Sequence, residues 1–63
     1  MKTITTAEEY RNCINEVKNT GVTLKVINEM DEDEQEKITD EDMKGVDIIV
    51  SAECDEIKPL VVS

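Results

Sequence analysis

The spacing of apolar residues after Thr6 predicts one amphipathic helix near the start of the chain. Apolar side chains recur there at intervals of three and four residues, which places them on one face of a helix. The repeating positions are Ala7, Tyr10, Ile14 and Val17, with Cys13 beside them. Thr6 and Glu9 match a capping box, in which a hydroxyl and a carboxylate satisfy amides at the helix start. Lys18 and Gly21 are typical of a helix end, so the pattern defines both ends of this helix.

Four shorter segments have the composition of β-strands. Residues 2–5 form a short β-prone stretch before the helix, and residues 22–27 alternate apolar and polar side chains after it. Residues 46–50 are more continuously apolar, which predicts a strand covered on both faces. Residues 57–62 predict a last strand, in which Pro59 favours an edge position or the start of the strand because proline cannot donate to a ladder. The polar stretch between these last two strands is predicted to be a connecting loop.

A second capping motif predicts another, shorter helix. Thr39 and Asp42 have the capping-box spacing, and Lys44 with Gly45 ends the segment. The predicted order is therefore β-α-β-loop-α-β-β, a small α/β layer of three to four strands with one main helix and one short helix. The first two strands are expected to be parallel because a helix connects them. With 63 residues the chain is expected to form a single domain, residues 1–63.

The acidic middle of the chain, residues 28–42, separates two of the predicted strands. It contains nine of the sixteen carboxylates and a single base, Lys37. Residues 28–38 are predicted to be a solvated acidic loop, because few apolar side chains are available there for a core. The whole chain has seven bases and a formal net charge of −9, which repels nucleic acid and anionic membranes. This charge predicts no direct nucleic-acid or membrane binding and favours a protein partner with a basic surface.

The chain lacks the residue sets that common catalytic and cofactor sites require. It has no histidine, and Cys13 and Cys54 are too far apart for a CxxC motif, so zinc binding and Cys–His catalysis are not expected. No signal peptide or apolar membrane span is recognisable, so both thiols are expected to be reduced in a cytoplasmic protein. Cys13 is expected to be buried, and Cys54 to lie in the core or a loop. We predict a non-enzymatic protein without a cofactor.

Part of the acidic middle imitates a twelve-residue calcium loop. Several positions of the loop carry residue types that calcium loops tolerate: Asp31, Asp33, Gln35, Ile38 and Asp42. Glu36, however, occupies the position that needs glycine for the sharp turn, and Asp42 is shorter than the usual bidentate glutamate. No metal site is therefore predicted.

Several segments from Glu8 to the C-terminus have the spacing of a known α/β domain. They are Asn19-Thr20-Gly21 at the helix end, residues 22–26, 38–42 and 46–50, and Lys58-Pro59-Leu60. In this order they resemble the IIB domain of the fructose-type sugar phosphotransferase system. That family carries its phosphate on a cysteine in a loop after the first strand, whereas here Thr5-Thr6-Ala7 runs directly into the helix. The resemblance therefore implies a scaffold without phosphotransfer. The N-terminal strand, the Thr-capped helix and the following strand are also similar to thioredoxin-like domains. That family needs a redox cysteine pair after its second strand, where this chain has Asn28-Glu29-Met30.

The acidic middle is interpreted as a surface for a basic partner. The candidate partner-binding residues are Glu29, Asp31, Glu32, Asp33, Glu34, Glu36, Asp40, Glu41 and Asp42. Carboxylates spaced along a loop and a helix start can imitate nucleic-acid phosphates and compete for a groove lined by Lys and Arg. One hypothesis is therefore an inhibitor from a phage or mobile element that occupies the nucleic-acid-binding groove of a host or phage-defence protein. The broader hypothesis is an acidic binding module whose partner is unspecified.

The alternative is a degenerate IIB-like or thioredoxin-like domain that serves as a structural or regulatory subunit. In that case an apolar surface, rather than the charge, would bind the partner. The small core of a 63-residue chain with one aromatic residue also favours self-association. Ile57, Leu60 and Val62, on the predicted C-terminal edge strand, are the expected contacts of a homodimer.

Overall fold

The computed structural model describes residues 1–60, and this part of the chain contains four strands and three helices. The elements in chain order are β1 (Lys2–Ile4), α1 (Ala7–Thr20), β2 (Leu24–Asn28), α2 (Glu32–Glu36), α3 (Asp40–Met43), β3 (Val46–Ile49) and β4 (Asp55–Pro59). One long helix, two short helices and a four-stranded sheet confirm the predicted small α/β layer. The end of the predicted strand 57–62 lies outside the described residues.

Helix α1 begins and ends where its capping residues predict. The Thr6 hydroxyl accepts a hydrogen bond from the Glu9 amide at 3.3 Å, and the helix ends at Gly21, which has a φ of 71°. Glycine suits this left-handed conformation because it has no Cβ. The second hydrogen bond of the capping box differs from the prediction, in which the Glu9 carboxylate accepts from the Thr6 amide. The Glu9 carboxylate accepts from the Thr5 amide and hydroxyl, at 3.4 and 3.0 Å, and these bonds tie the end of β1 to the first turn of α1.

The middle of the acidic segment is helical, which corrects the predicted loop. Asp31 caps α2 by accepting a hydrogen bond from the Glu34 amide at 2.9 Å. Glu32 and Asp33 follow in the first turn, where carboxylates interact favourably with the helix dipole. The prediction failed because it relied on the lack of apolar residues. A cap satisfies amides at a helix start without any burial, and none of the α2 residues is buried.

The sheet joins strands that are distant in sequence, in the order β1-β2-β4-β3. Strands β1 and β2 are parallel, as predicted. Strand β4 is antiparallel to both of its neighbours, and its Ile57 stands opposite Leu24 on β2 and Ile48 on β3. Because opposing residues share a face, these three side chains form an apolar row across the sheet.

The C-terminal strand β4 is a central strand, so the predicted edge position is wrong. It lies between β2 and β3, and Ile57 is 0% exposed. Both ladders of β4 are therefore occupied, and Ile57 is not available to a second chain. Leu60 is exposed, whereas Val62 lies outside the described residues. Within residues 1–60 the edges of the sheet are β1 and β3.

Strand β3 is covered on one face only, which corrects the prediction that both faces are buried. Val46 is buried and Ile48 is half-buried, whereas Asp47 and Ile49 are exposed. Successive residues of a strand point to opposite faces, so this alternation identifies one covered and one solvated face. The continuous apolar run misled the prediction because an exposed isoleucine has the same sequence signature as a buried one.

Helix α1 packs on one face of the sheet and forms the core with it. The core residues are Ile4, Tyr10, Cys13, Ile14, Val17, Val26, Val46 and Ile57. Burial of Cys13 confirms its predicted environment. The opposite face carries charged side chains that pair across strands, such as Lys25 with Glu56 at 3.5 Å. The described fold therefore has two layers, a helical layer and a sheet with one solvated face.

Candidate functional site

The nine predicted partner-binding carboxylates lie on α2, on α3 and in the adjoining segments, but their environments differ. Seven of them are exposed: Glu29, Asp31, Glu32, Asp33, Glu36, Asp40 and Glu41. Glu34 and Asp42 are half-buried, and both contact α1. These two carboxylates therefore hold the short helices in place.

Glu34 connects α2 to the start of α1. Its Oε1 accepts a hydrogen bond from the Ala7 amide at 3.0 Å, and its Oε2 pairs with the Lys37 ammonium at 2.5 Å. The bond from Lys37 and then the bond from Ala7 lower the pKa of Glu34, and the same ion pair raises the pKa of Lys37. Because the first amides of a helix have no partner within the helix, Glu34 acts as a long-range cap of α1.

Asp42 closes the capping box of α3 and also binds α1. Its carboxylate accepts from the Thr39 amide at 3.1 Å, while the Thr39 hydroxyl accepts from the Asp42 amide at 3.2 Å. This reciprocal pair confirms the capping box that the sequence predicts. Arg11 on α1 forms an ion pair with the same carboxylate at 3.1 Å. The Thr39 amide and, less strongly, Arg11 lower the pKa of Asp42, so its negative charge is engaged within the fold.

Six exposed carboxylates have no side-chain hydrogen bond or ion pair within residues 1–60. They are Glu29, Glu32, Asp33, Glu36, Asp40 and Glu41, and we refer to them as the acidic surface. Asp31 is exposed as well, but its carboxylate caps α2. Arg11 and Lys37 contact this part of the chain, yet they are paired with Asp42 and Glu34. The acidic surface therefore keeps its charge uncompensated by these bases.

A cleft of about 180 Å³ lies next to the acidic surface, among α1, the two short helices and the strand ends. Its walls are apolar and consist of Met30, Ile38, Met43, Ile48 and Val50, and Gln35 also borders it. Tyr10, Asn28 and Asp55 provide the polar part of the lining. The carboxyl ends of β2 and β3 meet the start of β4 here. Carboxyl ends of strands are common ligand-binding positions in α/β sheets.

The three polar residues of the cleft form one hydrogen-bonded group. Asp55 is 3% exposed, and its Oδ2 accepts from the Tyr10 hydroxyl and from Nδ2 of the Asn28 side chain, each at 3.1 Å. Oδ1 of the Asn28 side chain accepts from the Met30 backbone amide at 3.0 Å, which fixes the orientation of that side chain. Burial and the negative charge of Asp55 raise the pKa of Tyr10 well above its usual value. The Tyr10 hydroxyl therefore stays protonated and remains a donor.

The sequence pattern did not identify this polar group. It assigned Tyr10 to the apolar helix stripe and placed Asp55 in a connecting loop. One signal was available, because a tyrosine on a buried helix face requires a polar partner for its hydroxyl. That partner is 45 residues further along the chain, and no local pattern specifies it.

The remaining candidate chemistry gives no second site. Cys13 and Cys54 are free thiols, and burial raises the pKa of Cys13. Among residues 1–60, no group of three or more His, Cys, Asp or Glu side chains is placed to hold a metal ion. No helix in the same range is long and apolar enough to cross a membrane.

Replacing Glu34 with glutamine is expected to lower the melting temperature more than the same replacement at Glu36. Glutamine keeps an acceptor for the Ala7 amide but removes the ion pair with Lys37 and the negative charge at the positive end of α1. Glu36 provides the matched control, because it is exposed and loses the same charge. Circular dichroism at low salt measures both midpoints. Equal midpoints would show that the long-range cap does not stabilise the fold.

Together, the fold and the site define a small two-layer α/β protein with an acidic surface next to a cleft that has a buried carboxylate. No protein-family model matches the chain, no curated protein is significantly similar to it, and no solved structure matches it. The resemblance to the IIB scaffold therefore stays a prediction.

Proposed function

We propose that this protein binds a protein partner with a basic surface, and that the acidic surface makes the contact. The supporting observation is that six exposed carboxylates in residues 29–41 lack ion pairs within the described residues. Glu34 and Asp42 attach the same segment to α1. Five of the six charges are therefore presented by short helices that are already ordered, which reduces the entropy lost on binding.

We further propose that the partner's basic surface is a groove that otherwise holds nucleic-acid phosphates. Two features support this finer proposal: a net charge of −9 and the distribution of carboxylates over two successive short helices. Proteins that neutralise many phosphates carry dense Lys and Arg arrays, to which such a surface is complementary. The protein would then act as a non-enzymatic inhibitor by occupying the groove. Its predicted cytoplasmic location is part of this proposal.

Neutralising the acidic surface is expected to weaken partner binding roughly tenfold or more, because several rim charges are lost together. The variant combines Glu32→Gln, Asp33→Asn, Glu36→Gln and Glu41→Gln. The matched control neutralises the same number of exposed carboxylates elsewhere: Glu8→Gln, Glu16→Gln, Asp47→Asn and Glu53→Gln. Proteins are captured from a cell lysate on each variant, and the affinity of each captured protein is then measured at two salt concentrations.

The proposal requires binding that salt weakens, that the acidic-surface variant loses and that the control keeps. Equal loss in both variants, or binding that salt does not affect, would contradict it. Salt-insensitive binding is instead the expectation for the alternative, a structural subunit that works through apolar contacts. Duplex DNA or RNA added as a competitor tests the finer proposal. A partner that stays bound in its presence would leave an acidic binding module but rule out occupation of a nucleic-acid groove.

A further inference from the structure

The cleft next to the acidic surface combines apolar walls with a buried carboxylate. Met30, Ile38, Met43 and Ile48 are partly buried against the core, and Val50 is 76% exposed. Asp55 is 3% exposed and lines the same cleft. This combination differs from the acidic surface, where the carboxylates are surrounded by water.

One oxygen of Asp55 is available to a ligand. Both hydrogen bonds to the carboxylate, from Tyr10 and Asn28, reach Oδ2, and no described residue donates to Oδ1. In the part of the chain that the structure describes, no fully buried side-chain polar atom lacks a partner, so Oδ1 is still accessible to solvent. No ion pair among residues 1–60 involves Asp55. A buried carboxylate without a cation is costly, and a cationic ligand would offset that cost.

We propose that the cleft binds a lysine side chain of the basic partner, whose ammonium donates a hydrogen bond to Asp55 Oδ1. This inference rests on the proposed function and specifies the anchor of the same interaction. Lysine fits better than arginine, because the bidentate pairing that gives a guanidinium its geometric specificity uses both carboxylate oxygens. Here Oδ2 already accepts two hydrogen bonds. An ammonium is a compact charge that needs only the one remaining oxygen.

The walls of the cleft suit the rest of the lysine side chain. Lysine buries its methylene stem along apolar surface while its ammonium keeps polar contacts. Met30 and Met43 line the cleft, and methionine adapts its shape to different neighbours. Tyr10 donates to Asp55, so its oxygen can still accept a bond from the ammonium. Anchors of protein interfaces commonly fill pockets that become desolvated in the complex and are surrounded by weaker contacts.

Nα-acetyl-lysine methylamide is the probe that tests the anchor without the partner. We expect saturable shifts of the Met30 and Met43 methyl signals in NMR spectra, with a Kd on the order of millimolar. Asp55→Asn is expected to weaken binding roughly tenfold or more, because it removes a charged acceptor. The amide oxygen of the new side chain can still accept from Tyr10 and Asn28, so we expect the variant to fold. The corresponding norleucine derivative, which lacks the ammonium, is expected to cause no saturable shift.

A second pair of variants keeps the test valid if Asp55→Asn does not fold. Val50→Lys places a competing ammonium at the cleft, and Val22→Lys adds the same charge at another exposed valine. We expect Val50→Lys to weaken probe binding several-fold and Val22→Lys to leave it close to wild type. Probe binding that neither Asp55→Asn nor Val50→Lys reduces would overturn the anchor, as would the absence of any methyl shift.

The two proposals fail differently. Partner binding that is lost in the acidic-surface variant but unchanged in Asp55→Asn would overturn the lysine anchor and leave the proposed function intact. Partner binding that Asp55→Asn reduces but the acidic-surface variant does not would support the cleft and contradict the acidic surface. An arginine derivative that binds as well as the lysine derivative would contradict the preference for lysine over arginine.

Discussion

Replacing Ile57 with alanine is expected to remove a large share of the free energy of unfolding. A chain of 63 residues has a free energy of unfolding of roughly 3–9 kcal/mol. Truncating a buried isoleucine to alanine costs about 2–5 kcal/mol, because it removes buried surface and leaves a cavity. Ile57 is 0% exposed and lies between Leu24 and Ile48 in the middle of the sheet. Its loss therefore removes much of the total stability, and urea denaturation followed by circular dichroism measures it.

Ile49→Ala is the matched control for this prediction. Ile49 is also in a strand, but it is 42% exposed, so the same truncation is expected to change stability by less than about 1 kcal/mol. A smaller loss for Ile57 than for Ile49 would contradict the central position of β4. The comparison also tests the corrected position of β4, since an isoleucine exposed at a free sheet edge would tolerate truncation.

Raising the pH above 10 is expected to unfold the protein and to ionise Tyr10 in the same step. In the unfolded chain this tyrosine ionises near its usual value of 10, whereas burial and the charge of Asp55 raise its pKa in the folded state. The folded form therefore keeps a proton that the unfolded form releases. The stabilising contribution is complete below pH 10 and is lost as the pH rises, by about 1.4 kcal/mol per pH unit.

Tyrosinate absorbance measures this effect directly, because Tyr10 is the only tyrosine and the chain has no tryptophan. Lys37 changes stability in the same direction, since its pKa is also raised in the fold. Tyr10→Phe keeps Lys37 and loses only the tyrosine contribution, so its stability is expected to decline less steeply above pH 10. A tyrosinate band that develops near pH 10 while the circular dichroism stays native would contradict burial of the hydroxyl against Asp55.

Local motifs explain the parts of the fold that the sequence predicted correctly. Thr6 and Gly21 specify the two ends of α1, and Thr39 with Asp42 specifies the start of α3, because capping bonds connect residues close in sequence. The helix between β1 and β2 also made their parallel pairing predictable. The acidic run was visible as a charged segment, although its folding into α2 was not.

The candidate site was predictable only in part. The sequence located the acidic run and the capping role of Asp42, but it could not show that Glu34 and Asp42 contact α1. Their partners, Ala7 and Arg11, are on α1 and come close only when the segment packs against that helix. Composition alone does not show which carboxylates of the run form contacts within the fold and which stay exposed.

By itself, the sequence determined the α/β class, the limits of the main helix and the concentration of negative charge in residues 28–42, because each depends on composition or on neighbours along the chain. Only the tertiary structure decided that β4 lies between β2 and β3, and that Asp55 meets Tyr10 and Asn28 in a cleft. The physical reason is that alternation assigns a residue to a face of its strand but does not specify the neighbouring strand. Strand order and the hydrogen bonds of buried polar groups are set by contacts between distant residues.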